Sequence, residues 1–155
     1  MTDTPTVLLS AFADEAANHK TGIEQMSALA AIGLSWYTPR FIDVQGTGQV
    51  KHVVDLGDDD LTALKQLHAD YRTRVTSIGA RIGKVKLLDV DDGSHNKFVP
   101  FPQYLETEVA ATIRVAQALE TKLVRGFSFY HPRGEDPRKH IPRAVEQLLQ
   151  IVEAC

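Results

Sequence analysis

Apolar positions along the chain form short continuous runs that alternate four times with stripes at helical spacing. The first run lies within residues 7–13, where Val7, Leu8 and Leu9 begin a segment that the pattern predicts as a buried strand. Thr21, followed by Glu24 three residues later, forms a capping-box pattern typical of a helix start. The following helix has its apolar stripe at Ile23, Met26, Leu29, Ala30 and Ile32, and its expected stop at Gly33.

The second and third units repeat this order of strand and helix. A second strand is predicted over 34–41, with Pro39 ending its pairing, and a helix from Asp58 with acidic residues in its first turn. A third strand is predicted over 74–80. The stretch 88–100 is rich in Asp, Gly, Ser and Asn and is predicted as the longest and most mobile loop. The third helix is expected to start near Pro102.

The fourth unit consists of a predicted strand over 122–130, a turn over 131–137 and a last helix. Pro137 and Pro142 are both suited to the first position of a helix, so the start of this helix stays open. Its apolar stripe consists of Ile141, Val145, Leu148 and Val152.

Alternation of strands and helices predicts an α/β fold in which parallel strands are joined by right-handed crossovers. Four βα units are half of a (β/α)₈ TIM barrel, so we expect residues 1–155 to be one N-terminal half-barrel domain, truncated before a fifth strand. The first and fourth strands would then leave open edges through which two copies could form a homodimer. Periodicity alone does not separate this fold from a doubly wound sheet, but the Gly-rich phosphate-binding turns of Rossmann and P-loop proteins are missing from the sequence.

Composition and charge exclude several classes of function. With 43% hydrophobic residues, 24% charged residues and a net charge of −3, the chain resembles an ordinary globular protein with no general attraction to nucleic acid or to anionic membranes. The apolar runs are too short for a membrane span. The single cysteine, Cys155, excludes a disulfide framework, and we expect a cytoplasmic location. The six histidines and the acidic residues have no spacing typical of a local metal site.

Polar residues gather where the predicted strands end, which is the face that holds the active site in parallel α/β folds. The first strand ends at Asp14 and Glu15, and the fourth is followed by Arg133. We predict a substrate-binding rim for an anionic or polyhydroxylated ligand, formed by Arg40, Arg81, Lys84, Tyr130 and His131.

Four of the five rim residues also have a purely structural interpretation. Arg40 can pair with Asp14 or Glu15, and His131 can be a solvated turn residue. Arg81 and Lys84 adjoin Gly79 and Gly83, which permit either close approach of a ligand or a tight turn.

Three segments are similar to the N-terminal half of the sugar phosphate isomerase/epimerase group, the xylose isomerase-like TIM barrels. They are Ser10–Glu15, Ser77–Gly79 with Ile82–Val85, and Val124–Tyr130, and the resemblance runs over essentially the whole chain. It implies a divalent metal (Mn, Mg or Zn), held by carboxylates and a histidine on later strands, with acidic side chains that move the substrate proton. Those positions lie outside this chain, so the resemblance implies no cofactor here and leaves the catalytic residues unknown. The second strand also lacks the His-x-x-Asp pair of xylose isomerases.

The function expected first is therefore half of a metal-assisted isomerase or epimerase that acts on a sugar or sugar phosphate and is inactive by itself. A module that binds a phosphorylated or acidic sugar without catalysis is the second hypothesis, and a half-barrel that dimerises structurally is the third. Binding of nucleic acid comes last, because no basic stripe or stacking aromatic residues accompany the rim.

Overall fold

A computed structural model describes residues 7–155. The helices are α1 (Gly22–Ala31), α2 (Asp58–Tyr71), α3 (Phe101–Tyr104), α4 (Ala110–Ala118) and α5 (Ile141–Ala154). The strands are β1 (Trp36–Tyr37), β2 (Phe41–Ile42), β3 (Lys51–His52), β4 (Arg74–Val75), β5 (Ile78–Ile82) and β6 (Val124–Gly126). The chain forms two compact units. Unit 1 comprises the described residues up to Gly79 together with Val115–Val124, and unit 2 comprises Ala80–Arg114 and Arg125–Cys155.

The predicted α/β class is confirmed, since the described residues form helices and short pairs of parallel strands. In unit 1, Ala11 bridges Tyr37 in parallel, and β1 pairs in parallel with β4, with Trp36 opposite Arg74. Ile78 in β5 then donates its N–H to the carbonyl of Leu123 at 2.9 Å. The four predicted strand regions are thus neighbours in sequence order, although each sheet of the described residues has only two strands.

The prediction of a buried first strand is wrong for most of its length. Only Ala11 makes a strand-like bridge, and Val7, Leu8 and Leu9 are exposed. Their apolar character reflects a face on which none of the described residues packs, and periodicity cannot distinguish such a face from a covered one.

A hairpin replaces the end of the second predicted strand. β2 pairs in antiparallel orientation with β3, with Phe41 opposite His52. The buried carboxylate of Asp43 accepts hydrogen bonds from the backbone N–H groups of Thr47 and Gly48, at 3.1 and 2.7 Å. Gly48 has φ +84, a left-handed backbone conformation that glycine adopts readily because glycine has no side chain. The carboxylate of Asp43 therefore stabilises the loop that joins the two strands of the hairpin.

The helices of unit 1 begin where the sequence predicts. The side chain of Thr21 accepts from the backbone N–H of Glu24, whose carboxylate accepts from the backbone N–H of Thr21, so the predicted capping box is present. Gly33 follows α1 at φ +72, and α2 starts at Asp58. Both helices bury an apolar face, formed by Met26, Leu29, Leu61 and Leu64.

In unit 2, the later parts of β5 and β6 are paired and lead to the helices. The N–H of Phe127 donates to the carbonyl of Ile82 at 2.8 Å, and Lys86 bridges Tyr130 in parallel. The third helical segment starts at Phe101, close to the predicted Pro102, and contains a π-helical turn (Leu105–Val109) between α3 and α4. Pro137 opens a short 3₁₀ turn, and Pro142 lies in the first turn of α5, so each proline occupies a helix start.

Helix α5 presents an apolar stripe to solvent. It buries Ala144, Gln147 and Ile151, while a second row is 47–69% exposed and consists of Ile141, Val145, Leu149 and Val152. The predicted stripe of this helix thus contains three residues that the described part of the chain does not cover.

A helix must be long and apolar to span a membrane, and none of the helices within residues 7–155 meets this requirement.

Candidate functional site

Unit 2 contains a cavity beside the segment that follows β6. Its volume is about 520 Å³, and it is lined by Asp92, Ser94, Asn96, Phe129, Tyr130, His131 and Arg133. The strand end supplies the last four of these residues, and the long loop over 88–100 supplies the first three. We call these seven residues the strand-end cavity.

The ring of His131 is oriented by its own backbone neighbour. Its Nδ1 lies 2.9 Å from the carbonyl oxygen of Pro132. Because a carbonyl can only accept, Nδ1 carries a proton, which leaves Nε2 as the acceptor in the neutral form of the ring. The ring stacks on His140 with centroids 6.2 Å apart, and His140 Nε2 lies 3.1 Å from Glu135 Oε2. His131 can therefore accept a proton or a hydrogen bond from a ligand hydroxyl group.

Donors without a protein partner surround this acceptor. Among residues 7–155, the guanidinium of Arg133 forms no ion pair, and neither the Tyr130 hydroxyl nor the Asn96 amide has a hydrogen-bond partner. Arg133 presents planar N–H groups that match a phosphate or carboxylate. Apart from the carboxylate of Asp92, the strand-end cavity thus combines one cation, one imidazole and neutral hydrogen-bonding groups.

Asp92 anchors the loop that forms one wall of the cavity. Its carboxylate accepts from Lys86 Nζ at 2.7 Å, from Ser94 Oγ at 2.7 Å and from the backbone N–H of Arg133 at 3.0 Å. The bonds from Lys86 and Ser94 hold the pKa of Asp92 well below its usual value. The negative charge of Asp92 is therefore satisfied within the protein and does not oppose an anion near Arg133.

Phe129 adopts a backbone conformation that is rare for a residue with a side chain. Its φ is +68, and the residue is buried. A left-handed conformation costs about 1–2 kcal/mol in a residue other than glycine, and such strain clusters at ligand sites. The left-handed conformation of Phe129 turns the chain immediately before Tyr130 and His131, which line the cavity.

Arg81 and Lys84 lie in unit 2 but do not line the strand-end cavity. Arg81 Nε lies 3.0 Å from Glu108 Oε1, and Lys84 Nζ lies 4.8 Å from the centroid of the Phe127 ring. The two glycines that adjoin them do not leave space for a ligand. A Cβ atom at Gly83 would meet the backbone carbonyl of Phe127, and one at Gly79 would come within 2.7 Å of the Pro39 carbonyl oxygen.

Arg40 lies in unit 1, where it forms the ion pairs that its structural interpretation predicts. It approaches Asp14 Oδ2 at 2.8 Å and Glu15 Oε1 at 2.9 Å. Its guanidinium carbon also lies 4.8 Å from the centroid of the Phe12 ring. These partners raise the pKa of Arg40, with Asp14 as the main cause.

The predicted rim residues therefore separate into two sets. Tyr130 and His131 line the strand-end cavity, together with Arg133, which the sequence already places at the fourth strand end. The other three residues do not line it: Arg40, Arg81 and Lys84. Ser94 and Asn96 were missed, because only folding of the 88–100 loop brings them there. Their signal in the sequence was the Asp-Gly-Ser-x-Asn composition of that loop.

Among the described residues, no three His, Cys, Asp or Glu side chains come together in a group that could hold a metal ion.

Comparison with protein-family models finds no match, and comparison with curated proteins finds no significant similarity.

Proposed function

We propose that the strand-end cavity binds a phosphorylated or acidic sugar. The observation that carries the proposal is the set of unpaired groups around one concave space: Arg133, Tyr130, Asn96 and the Nε2 atom of His131. Arg133 would hold the anionic group, and His131 with the neutral donors would hold hydroxyl groups. The location after β6 agrees with the general position of ligands in parallel α/β folds.

The finer part of the proposal is that the chain is an N-terminal half-barrel of the sugar phosphate isomerase/epimerase type. The sequence resemblance supports it, and so does the sequential order of parallel strand pairs. In this interpretation the described residues bind and orient the sugar. Acidic groups elsewhere in the barrel would move the proton, and a divalent metal held there would polarise the substrate carbonyl, as the resemblance implies.

Calorimetric titration can test the binding step with inorganic phosphate, a pentose 5-phosphate and the free pentose. We expect the pentose 5-phosphate to bind most tightly and Arg133→Gln to weaken it about tenfold, the equivalent of one charge-assisted contact. Lys84→Gln is the matched control, because Lys84 does not line the cavity. Equal affinity of the wild type and Arg133→Gln would contradict the proposal.

The reaction itself is tested by proton exchange. The protein is incubated with the pentose 5-phosphate and Mn²⁺ or Mg²⁺ in D₂O, and deuterium at the carbon beside the carbonyl is followed by NMR. Absence of exchange is expected both of the half-barrel by itself and of a module that binds the sugar without catalysis. Exchange by residues 1–155 alone would contradict the interpretation that the proton-moving groups lie on later strands.

The third hypothesis, a half-barrel that dimerises through its open sheet edges, stays a prediction, whereas the exposed stripe of α5 favours a different dimer, formed through this helix. Charged side chains beside the stripe are sorted by sign, with Arg138 and Lys139 before the helix and Glu146 and Glu153 along it. None of these four forms an ion pair among the described residues. Two copies of α5 in antiparallel orientation would cover both stripes and place Lys139 of one copy near Glu153 of the other.

Light scattering over a range of concentrations decides this point. We expect a dimer that Val145→Glu dissociates. Lys139→Glu and Glu153→Lys should each weaken it, and their combination should restore it. Glu146→Cys, combined with Cys155→Ser, should then cross-link two copies. A monomer at all concentrations would exclude the dimer, and cross-linking only through native Cys155 would contradict the antiparallel arrangement.

A further inference from the structure

A second cavity lies in unit 1, at the amino ends of β1 and β4, where no ligand is expected from the argument above. Its volume is about 430 Å³. The lining residues are Trp36, Lys65, His68, Thr73, Arg74, Val75, Ala118, Leu119 and Glu120. We call this the strand-start cavity.

Two cations of this cavity have no anionic partner. Among residues 7–155, neither Lys65 nor Arg74 forms an ion pair. The guanidinium carbon of Arg74 lies 5.6 Å from the centroid of the Trp36 ring. Contact with the indole fixes the guanidinium by a cation–π interaction and leaves its planar N–H groups available to an anion.

His68 adds a neutral donor, and its tautomer follows from Tyr37. The Tyr37 hydroxyl lies 2.6 Å from His68 Nε2, and Tyr37 is fully buried with this as its hydroxyl's one partner among the described residues. The hydroxyl proton must therefore go to Nε2, since a buried O–H without an acceptor would cost free energy. Burial lowers the pKa of His68 to about 4, so the ring is neutral near pH 7. A neutral imidazole that accepts at Nε2 carries its proton on Nδ1.

The positions of these groups agree with a common ligand. Lys65 and His68 are three residues apart on α2 and hence lie on the same face of the helix. Trp36 and Arg74 are directly opposed in the β1–β4 pair. The rest of the wall has an apolar part, formed by Val75, Ala118 and Leu119, and a polar part, formed by Thr73 and Glu120.

We infer that the strand-start cavity binds a small organic anion, a phosphate or carboxylate attached to an apolar ring. Arg74, Lys65 and the Nδ1–H of His68 hold the anionic group, and the ring packs against Trp36 and the apolar wall. The inference rests on unit 1 alone, so it stands or falls separately from sugar binding in unit 2.

Trp36 is the only tryptophan of the chain, so its fluorescence reports directly on this cavity. Phenyl phosphate and benzoate serve as probes of the two anions, and methyl phosphate serves as the probe without a ring. We expect a saturable change with at least one ring-bearing probe and a weaker response to methyl phosphate. No saturable response to either ring-bearing probe at millimolar concentration would overturn the inference.

Charge variants then locate the bound anion. Arg74→Gln and Lys65→Gln should each weaken binding about tenfold by calorimetry, a method that does not depend on the changed environment of Trp36. Arg138→Gln removes an equal charge outside the cavity and should leave the affinity unchanged. Equal loss in all three variants would indicate nonspecific attraction and contradict the inference.

The histidine has its own test. Nitrogen-15 NMR of the ring should show the proton on Nδ1. His68→Gln keeps an acceptor for the Tyr37 hydroxyl but loses the Nδ1–H, so affinity should fall while the melting temperature changes little. A ring protonated on Nε2, or unchanged affinity in His68→Gln, would remove His68 from the site.

Discussion

The Nη2 atom of Arg40 lies 2.8 Å from Oδ2 of Asp14, a carboxylate whose side chain is only 1% exposed. The same guanidinium reaches Glu15, whose side chain is 65% exposed. One cation thus pairs with a buried and an exposed carboxylate, and the two pairs should differ strongly in energy.

Removal of the cation should be costly because it leaves the buried carboxylate of Asp14 without its main partner. We expect Arg40→Met to lower the free energy of unfolding by about 3–5 kcal/mol. Glu15→Gln removes only the exposed pair and should cost less than about 1 kcal/mol. Urea unfolding measures both. Similar values for the two variants would mean that Asp14 finds other partners when Arg40 is lost.

Gly83 combines a left-handed backbone with close contact to a neighbouring strand. Its φ is +79, and an added Cβ atom would meet the backbone of Phe127. Gly93 has φ +69 but nothing within 4 Å, which makes it the matched control. We expect Gly93→Ala to cost about 1–2 kcal/mol from the backbone alone. Gly83→Ala should cost about 1–3 kcal/mol more from the clash, as measured by urea unfolding.

His68 should make unfolding depend on pH. Burial lowers the pKa of its folded form to about 4, whereas the unfolded chain has the ordinary value near 6.5. The unfolded state therefore binds the proton more readily, so stability is full above pH 6.5 and is lost as the pH falls toward 4. The loss should reach about 3 kcal/mol.

His68→Gln provides the comparison, since it cannot titrate. Unfolding free energies are measured from pH 7 to pH 4 for both proteins. The difference between the two curves should grow as the pH falls, and parallel curves would contradict a buried neutral His68.

Asp92 should control access to the loop over 88–100. Asp92→Asn weakens the bonds from Lys86 and Ser94, so trypsin should cleave after Lys97 several times faster than in the wild type. Asp89→Asn, an exposed position in the same loop without a partner among the described residues, should leave the rate unchanged. Equal rates in all three proteins would show that other contacts hold the loop.

Some features of the fold are determined within a few residues of the sequence. The capping box of Thr21 and Glu24, the acidic start of α2 at Asp58 and the stop at Gly33 were all predicted correctly. Each depends on backbone groups no more than four positions away, so the local pattern contains the whole interaction. The order of the parallel strand regions also followed from their alternation with helices.

Tertiary structure alone decided which apolar and polar groups are covered. Val7 and Val145 belong to apolar patterns, yet both are exposed, because periodicity states which face is apolar and not whether a neighbour packs on it. Tyr130 and His131 could be placed at a strand end from the sequence. They share a cavity with Asn96 because Asp92 binds the backbone of Arg133, which lies 41 positions away. An interaction between such distant residues leaves no periodic signal in the sequence.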